Sequence, residues 1–195
     1  MAHFPLFIDL QGKKCLVVGG GNVAFRKVRT LLEYGASVIA VAPQFSKEFA
    51  ALSGNIVFAA REFEPQDISG AALVCAATND SDCNRLVHRL CAAQNIPINV
   101  ADIPELCTFC FPALVRRGDV VLGISTSGKS PALARALRER IDSLLPQALS
   151  DLAQRLGSLR ARLLCHGEHP AHNEEYNALL REARLFCLSS DLQEK

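Results

Sequence analysis

Lys14-Cys15-Leu16-Val17-Val18 runs directly into Gly19-Gly20-Gly21, and Asn22-Val23-Ala24 opens a new period behind the glycines. The first five residues read as a buried strand, and the glycines read as the turn that leaves it. From Val23 to Tyr34 the apolar positions Ala24, Val28, Leu31 and Leu32 recur at helical spacing, and Gly35 supplies the expected stop. The stretch therefore fits G-x-G-x-x-A in the strand, turn, helix context that a dinucleotide site requires. Gly19 permits the tight turn, Gly21 lets a pyrophosphate approach the backbone, and the small Ala24 lets helix and strand pack closely. The helix start then offers unpaired N–H groups and the positive end of its dipole to an anion. A glycine turn that serves packing alone is the alternative.

Working outward, the first half alternates β-branched runs with helical periods, the pattern of a parallel sheet with crossover helices. Ser37–Ala42, Asn55–Ala60, Ala71–Ala77 and Ile96–Ala101 read as further strands. Asp80 or Ser81 caps a helix that runs to about Gln94. The fold class expected is α/β: a Rossmann-type parallel sheet with helices on both faces, then a small dimerisation segment and a helical C-terminal domain. The rhythm changes after Asp102. A cysteine-bearing loop leads to a hairpin around Arg117-Gly118-Asp119 and a strand over Val120–Ser125. Ser130-Pro131 then starts a helix whose stripe is Leu133, Leu137, Ile141 and Leu144. Gln147–Lys195 reads as two further helices separated by His166–Asn173. The expected divisions are 1–113 for the dinucleotide domain, 114–145 for a substrate-loop and dimerisation region, and 146–195 for the helical domain.

Twenty-one basic against twenty acidic residues leave a net charge of +1, so no global field points to nucleic acid or to an anionic membrane. Any anion must be held by a local site. The longest apolar run, Ala71–Ala77, is far shorter than the roughly 18 residues of a membrane span. Met1–Leu10 lacks the features of a secretory signal, so a cytoplasmic location is expected. Eight cysteines invite a disulfide reading. However, Cys15 and Cys75 lie in apolar strands, and Cys83 and Cys91 lie along a helix, so free thiols are expected.

One departure from the dinucleotide pattern concerns the acidic residue usually found about 20 positions on, for which Val41-Ala42-Pro43 stands instead. The adenosine ribose must then be met by backbone and shape, which weakens the physical preference for NAD over NADP. Arg26 and Lys27 could favour a phosphate, although helix-surface bases are more often solvated. A second glycine motif, Gly123 to Ser130, satisfies the P-loop expression G-x-x-x-x-G-K-S. The chain beyond it has a helical pattern, with no further strand to carry a magnesium-binding Asp, and Pro131 stands directly behind the serine. The better reading is a nest of N–H groups, hydroxyls and one lysine at a helix start, suited to carboxylates as well as phosphates.

Six ordered blocks make the chain recognisable: Pro5-Leu6-Phe7; Gly19 to Val23 with Arg26-Lys27; Ala76 to Asp80; Asn99-Val100-Ala101-Asp102; Phe109 with Pro112-Ala113; and Ser125 to Ala134. Together they resemble the precorrin-2 dehydrogenase family, including the N-terminal part of siroheme synthases, closely over about 1–150 and loosely beyond. The resemblance implies NAD-dependent oxidation of precorrin-2 to sirohydrochlorin, with metal insertion into the product as a further activity of some members. It implies cofactor contacts at Gly19, Gly21, Asn22, Val23, Ala42, Pro43 and Thr78, and an acid–base role for Asp102. It also implies tetrapyrrole contacts from Ser125, Thr126, Ser127, Gly128, Lys129 and Ser130, and a homodimer formed after the Rossmann domain. Thr126 stands where some members carry a phosphorylatable serine. Ending at Lys195, the sequence is expected to lack the methyltransferase half of fused siroheme synthases.

The chemistry is consistent with the residues. Removing two hydrogens from precorrin-2 needs a hydride acceptor and a base for the proton. Asp102 stands just past a strand end, where open α/β sheets bind ligands. A turn or cap role is the alternative for Asp102, and an NAD-binding redox sensor without catalysis is the alternative for the whole. Arg135 and Arg138 could join Lys129 in clamping the carboxylates of the substrate rim. Cys107-x-x-Cys110 and the Cys165, His166, His169, His172 cluster lack the ligand count of a metal site, so no metal is expected.

Overall fold

The computed structural model describes residues 3–188, with side chains to 185, so the end of the expected helical tail lies outside the described residues. Two compact units emerge, one spanning Leu6–Phe111 and the other joining the first residues to the chain from Pro112 onward.

In the first unit β1 (Lys14–Val18), α1 (Asn22–Glu33), β2 (Ser37–Val41), β3 (Ile56–Ala59), β4 (Leu73–Ala76), α2 (Ser81–Ala93) and β5 (Ile98–Val100) succeed one another. All strand pairs are parallel and the sheet order is β3-β2-β1-β4-β5, so the topology reverses between β1 and β4. The period-2 geometry of the strands sorts the core into two layers. Cys15 and Val17 join Val38, Ala40 and Cys75 against Ala24, Val28 and Leu31 of α1. Leu16 and Val18 join Val41, Val74 and Ala76 against Val87 and Cys91 of α2. Burying a side chain such as Leu16 or Leu31 contributes about 1.5–3 kcal/mol, so the two helix faces hold the sheet from both sides.

Two strand connections differ from the helical crossovers that the alternation suggests. β2 reaches β3 through a short 3-10 turn at Lys47–Ala51, and β3 reaches β4 through another at Pro65–Ile68. Phe49 and Ile68 from these turns are buried where a crossover helix would otherwise cover the sheet. Strand β5 is shorter than expected because Pro97 cannot donate to the ladder. Its carbonyl still accepts from the Val74 N–H at 2.9 Å.

The second unit begins with an antiparallel hairpin of β6 (Ala113–Arg117) and β7 (Val120–Ile124), turned by Gly118 at φ +59° with Asp119. Helix α3 (Pro131–Leu144) starts as expected, with Pro131 in its first turn and the Ser130 hydroxyl accepting from the Leu133 N–H at 3.2 Å. Arg117 fastens the hairpin to the far end of α3 through the Asp142 carboxylate at 2.8 Å and the Leu145 carbonyl at 3.0 Å. Along α3 only Ala134 is buried, whereas Leu133 and Leu137 are 52% and 42% exposed. Helices α4 (Leu149–Cys165) and α5 (Glu174–Leu188) share a small core of Leu152, Leu159, Leu163 and Leu179.

Candidate functional site

The three glycines have different duties. Gly19 lies at φ +131°, and a Cβ there would run into the Ala77 carbonyl. Gly20 has the Gln44 carbonyl where its Cβ would stand, and its own carbonyl accepts from the Ser46 N–H at 2.8 Å. Both are therefore fixed by close backbone approach. Gly21 has ordinary φ (−90°) and nothing within 4 Å of the position a Cβ would take, so space is open in front of it. It occupies the N-cap of α1 without a side-chain cap, and no acidic residue stands in the first turn. The exposed Asn22 and half-buried Val23 begin that turn, so the helix start is free to meet an anion. These features fit a diphosphate, as the motif implies.

At the end of β2, Ala42 is buried and Pro43 exposed, which leaves a short apolar ledge and no carboxylate. Thr78, after β4, is tied into a tight network. Its hydroxyl donates to the buried Asn84 Oδ1 or to the Asp80 carbonyl, both at 2.9 Å, and accepts from the Asp80 N–H at 3.1 Å. Asp80 in turn caps α2, accepting from Asp82 and Cys83 at 2.8 and 3.2 Å. Thr78 thus shapes the loop at the strand ends.

Asp102 is exposed and sits in the left-handed region at φ +60°, a conformation that costs a non-glycine residue about 1–2 kcal/mol. The turn around it is held firmly. Ala101 N–H donates to the Ala76 carbonyl at 2.8 Å, Val100 N–H donates to Cys107 Sγ at 3.2 Å, and the thiol can donate back to the Val100 carbonyl at 3.2 Å. Because β4 lies between β1 and β5, the Asp102 turn is about 10 Å across the strand ends from the glycine turn, at ordinary strand spacing. Asp102 thus stands at the C-terminal edge of a parallel sheet, the edge on which open α/β folds bind ligands.

Lys27 departs from the solvated helix-surface residue that the sequence suggests, whereas Arg26 is exposed and reaches only the Asn22 carbonyl. Lys27 is half-buried, its ammonium donates to Asn99 Oδ1 at 2.5 Å, and it lies 4.5 Å from the centre of the Phe111 ring. Burial lowers its pKa below the usual lysine value, while nearby Cys75, Cys107 and Asp102 favour the charged form and Arg26 opposes it. The only trace of this in the sequence is that Lys27 falls one residue before the buried Val28, on the flank of the helix stripe.

Gly123 to Ser130 leaves one strand of a two-stranded antiparallel hairpin, so it has no parallel sheet behind it as a P-loop does. Ser127 and Gly128 have φ +52° and +79°, and Lys129 N–H donates to the Thr126 carbonyl at 3.0 Å, which closes a tight turn. The nest expected there is largely satisfied from within. Ser127 N–H donates to Ser125 Oγ at 3.1 Å, and Ser130 N–H donates to Thr126 Oγ1 at 3.1 Å. What the loop presents outward is the exposed Lys129 and Ser125.

The seven described cysteines are free thiols, and burial pushes those of Cys15 and Cys91 up to about 11 and that of Cys75 to about 12. His166 Nδ1 lies 2.8 Å from the Arg162 carbonyl, and His169 Nδ1 accepts from Ala171 N–H at 3.3 Å, so both rings serve helix ends. Among the described residues no group of three metal-ligating side chains is gathered. No helix among them is long and apolar enough to cross a membrane.

The sheet order, the glycine turn and the open helix start define a dinucleotide-binding protein of the Rossmann class. Comparison with known proteins agrees: residues 6–113 match a family model described as NAD(P)-binding, and residues 117–144 match one described as sirohaem biosynthesis protein central. The chain belongs to this NAD(P)-binding family and carries the sirohaem biosynthesis central segment behind it. It is 42% identical over 162 residues to the siroheme synthase of Vesicomyosocius okutanii, covering 82% of this chain and 35% of that protein. It is 46% identical over 155 residues to the siroheme synthase of Methylobacillus flagellatus, covering 78% and 33%. The chain thus spans about a third of the length of the curated relatives it matches. Among solved structures it resembles SirC, precorrin-2 dehydrogenase, with a TM-score of 0.66 and 25% identity over 97% of this chain and 99% of that one.

Proposed function

We propose that the chain oxidises precorrin-2 to sirohydrochlorin with NAD as hydride acceptor. The observation that carries this reading is the likeness to SirC, precorrin-2 dehydrogenase, along nearly the whole of both chains. It is supported by an open helix start at Gly21 and by Asp102 held in a strained turn beyond β5.

Gly19 and Gly21 with the first turn at Asn22 and Val23 would hold the diphosphate, Ala42 and Pro43 would meet the adenosine end, and Thr78 shapes the loop between them. Bound there, NAD supplies an acceptor for a hydride from a carbon of the macrocycle. Asp102 would take the proton released in the same oxidation, so that the two hydrogens leaving precorrin-2 would be accounted for as one hydride, for which bound NAD would be the acceptor, and one proton on the carboxylate. The carboxylates of the tetrapyrrole rim fall to Ser125, Thr126, Ser127, Gly128, Lys129 and Ser130. Of these, Lys129 brings a full charge and Ser125 an exposed hydroxyl, in keeping with the internal bonding of the loop's N–H groups.

A second copy covering Leu133 and Leu137 of α3 would bury two large apolar side chains that the single chain leaves exposed, and a homodimer is proposed on that ground. A cytoplasmic setting is proposed with it. The test is to mix the purified protein with precorrin-2 and NAD and to follow NADH and sirohydrochlorin together. One NADH per sirohydrochlorin is expected. NAD binding without conversion of precorrin-2 would favour a redox-sensing role and defeat the proposal.

A further inference from the structure

Lys27 is drawn inward by the first unit so that its ammonium meets a buried side-chain amide and an aromatic face together. Its partner Asn99 is 8% exposed and fully used: Oδ1 accepts from Lys27, and Nδ2 donates to the Phe109 carbonyl at 3.0 Å with Cys107 Sγ at 3.6 Å. Asn99 begins the run Asn99-Val100-Ala101-Asp102, and the Cys107 thiol it touches is the group that grips Val100 at 3.2 Å. A continuous chain of contacts therefore joins α1, a turn and a half beyond the glycines, to Val100 and, through the Cys107 thiol and the Ile103 carbonyl at 3.4 Å, to both sides of the Ala101-Asp102 turn that carries the positive φ. An ammonium half-removed from water is expensive unless it is compensated. Here it is met by one short hydrogen bond, one ring face, and the field of Asp102.

A lysine that only had to decorate α1 would remain in water, as Arg26 and Arg29 do. Packing alone would be served better by an apolar side chain of the same length, because Phe111 and Phe109 already offer an apolar wall. What Lys27 adds over such a residue is a directional charge-assisted bond to Asn99. We propose that Lys27 is the positioning residue of the Asp102 centre, holding the Asn99–Asp102 turn in its strained form through the Asn99 amide. The inference rests on the proposed oxidation of precorrin-2 for its consequence in turnover, and on geometry alone for its consequence in the turn.

The experiment compares the wild-type chain with Lys27→Met and Lys27→Arg. In the absence of NAD and substrate, alkylation of Cys107 is followed by peptide mass spectrometry with buried Cys15 as internal reference. Freed from Asn99, the turn opens more often, and Cys107 is expected to react about five-fold faster or more in Lys27→Met while Cys15 keeps its rate. In turnover, kcat is expected to fall about ten-fold with the KM for NAD within about two-fold of wild type, because the diphosphate turn is untouched. Lys27→Arg, which keeps a donor and a charge, is expected to recover part of kcat. An unchanged Cys107 rate in Lys27→Met overturns the proposal, as does a faster Cys107 with wild-type kcat. A parallel rise in Cys15 labelling overturns it in favour of general loosening. If the wild-type chain itself leaves precorrin-2 unoxidised, the parent reading fails, and Lys27 is then judged on the Cys107 rate alone.

Discussion

Replacing Gly21 with Glu separates binding from folding more cleanly than any other change to the glycine turn. Gly21 has a φ that any L-residue adopts and nothing within 4 Å of its would-be Cβ, so the folded chain accommodates a side chain there. The change in stability is expected within about 0.5 kcal/mol, as for an unstrained surface substitution. Binding is another matter, because the new carboxylate enters the open space in front of Gly21 where the diphosphate is proposed to sit. Two like charges 4 Å apart at an effective dielectric of 20 repel by about 4 kcal/mol. Side-chain flexibility and salt reduce that figure, so a loss of about 2.7 kcal/mol, or 100-fold in Kd, is a conservative expectation. The assay is NAD titration by calorimetry beside a thermal melt, with Gly19→Ala and Gly20→Ala as contrasts. Those two meet the Ala77 and Gln44 carbonyls, and Gly19 also has positive φ, so they should lower stability by about 1–3 kcal/mol or more. A Gly21→Glu protein that folds and binds NAD within three-fold of wild type would refute the placement of the diphosphate.

The same geometry sets the outcome of other changes. Asp80→Ala removes the α2 cap and should cost about 0.5–2 kcal/mol in denaturant titration while turnover per folded molecule stays near wild type. The Cys15, Cys75 and Cys91 thiols keep their protons to about 11, 12 and 11, against an ordinary value of 9.0. The unfolded chain therefore loses these protons first. Their stabilisation is complete below pH 9 and is lost as pH rises toward 12, by up to about 1.4 kcal/mol per pH unit for each thiol. Denaturation at pH 8, 9 and 10 should show a shallower decline for Cys75→Ala, and an identical slope would contradict this. Leu133→Asp with Leu137→Asp should shift light scattering from dimer to monomer, and a wild-type protein already monomeric would remove the dimer proposal.

The first unit was legible because its signals are local. The strand from Lys14 to Val18, the glycine turn, the stripe of α1 and the Asp80 cap all lie where short-range periodicity and capping place them. Strand β4 is shorter than its apolar run, since pairing ends where a neighbouring strand ends, which no single run can reveal. The 3-10 crossings around β3 escape the sequence for the same kind of reason: Phe49 and Ile68 cover the sheet by tertiary contact and not by a helical repeat. Asp102 could be named from its place after a strand, but its left-handed turn depends on Cys107 five residues on. Lys27 was the least visible, because its meaning lies in Asn99, 72 residues away in the chain. The Ser125–Ser130 loop shows the converse, a strong expression whose N–H groups the fold then uses internally.

The central claim is that Asp102 receives the proton released as precorrin-2 gives up a hydride to NAD, and one comparison tests it most directly. Asp102→Ala and the wild-type chain are given saturating NAD and precorrin-2, with NAD affinity measured separately for each. Affinity for NAD should match, since Gly19, Gly21 and the start of α1 are unchanged, while turnover should fall by about 10² to 10⁴-fold, the range for a positioned general acid or base. If Asp102→Ala forms sirohydrochlorin at the wild-type rate, Asp102 is no more than the residue that closes the turn after β5.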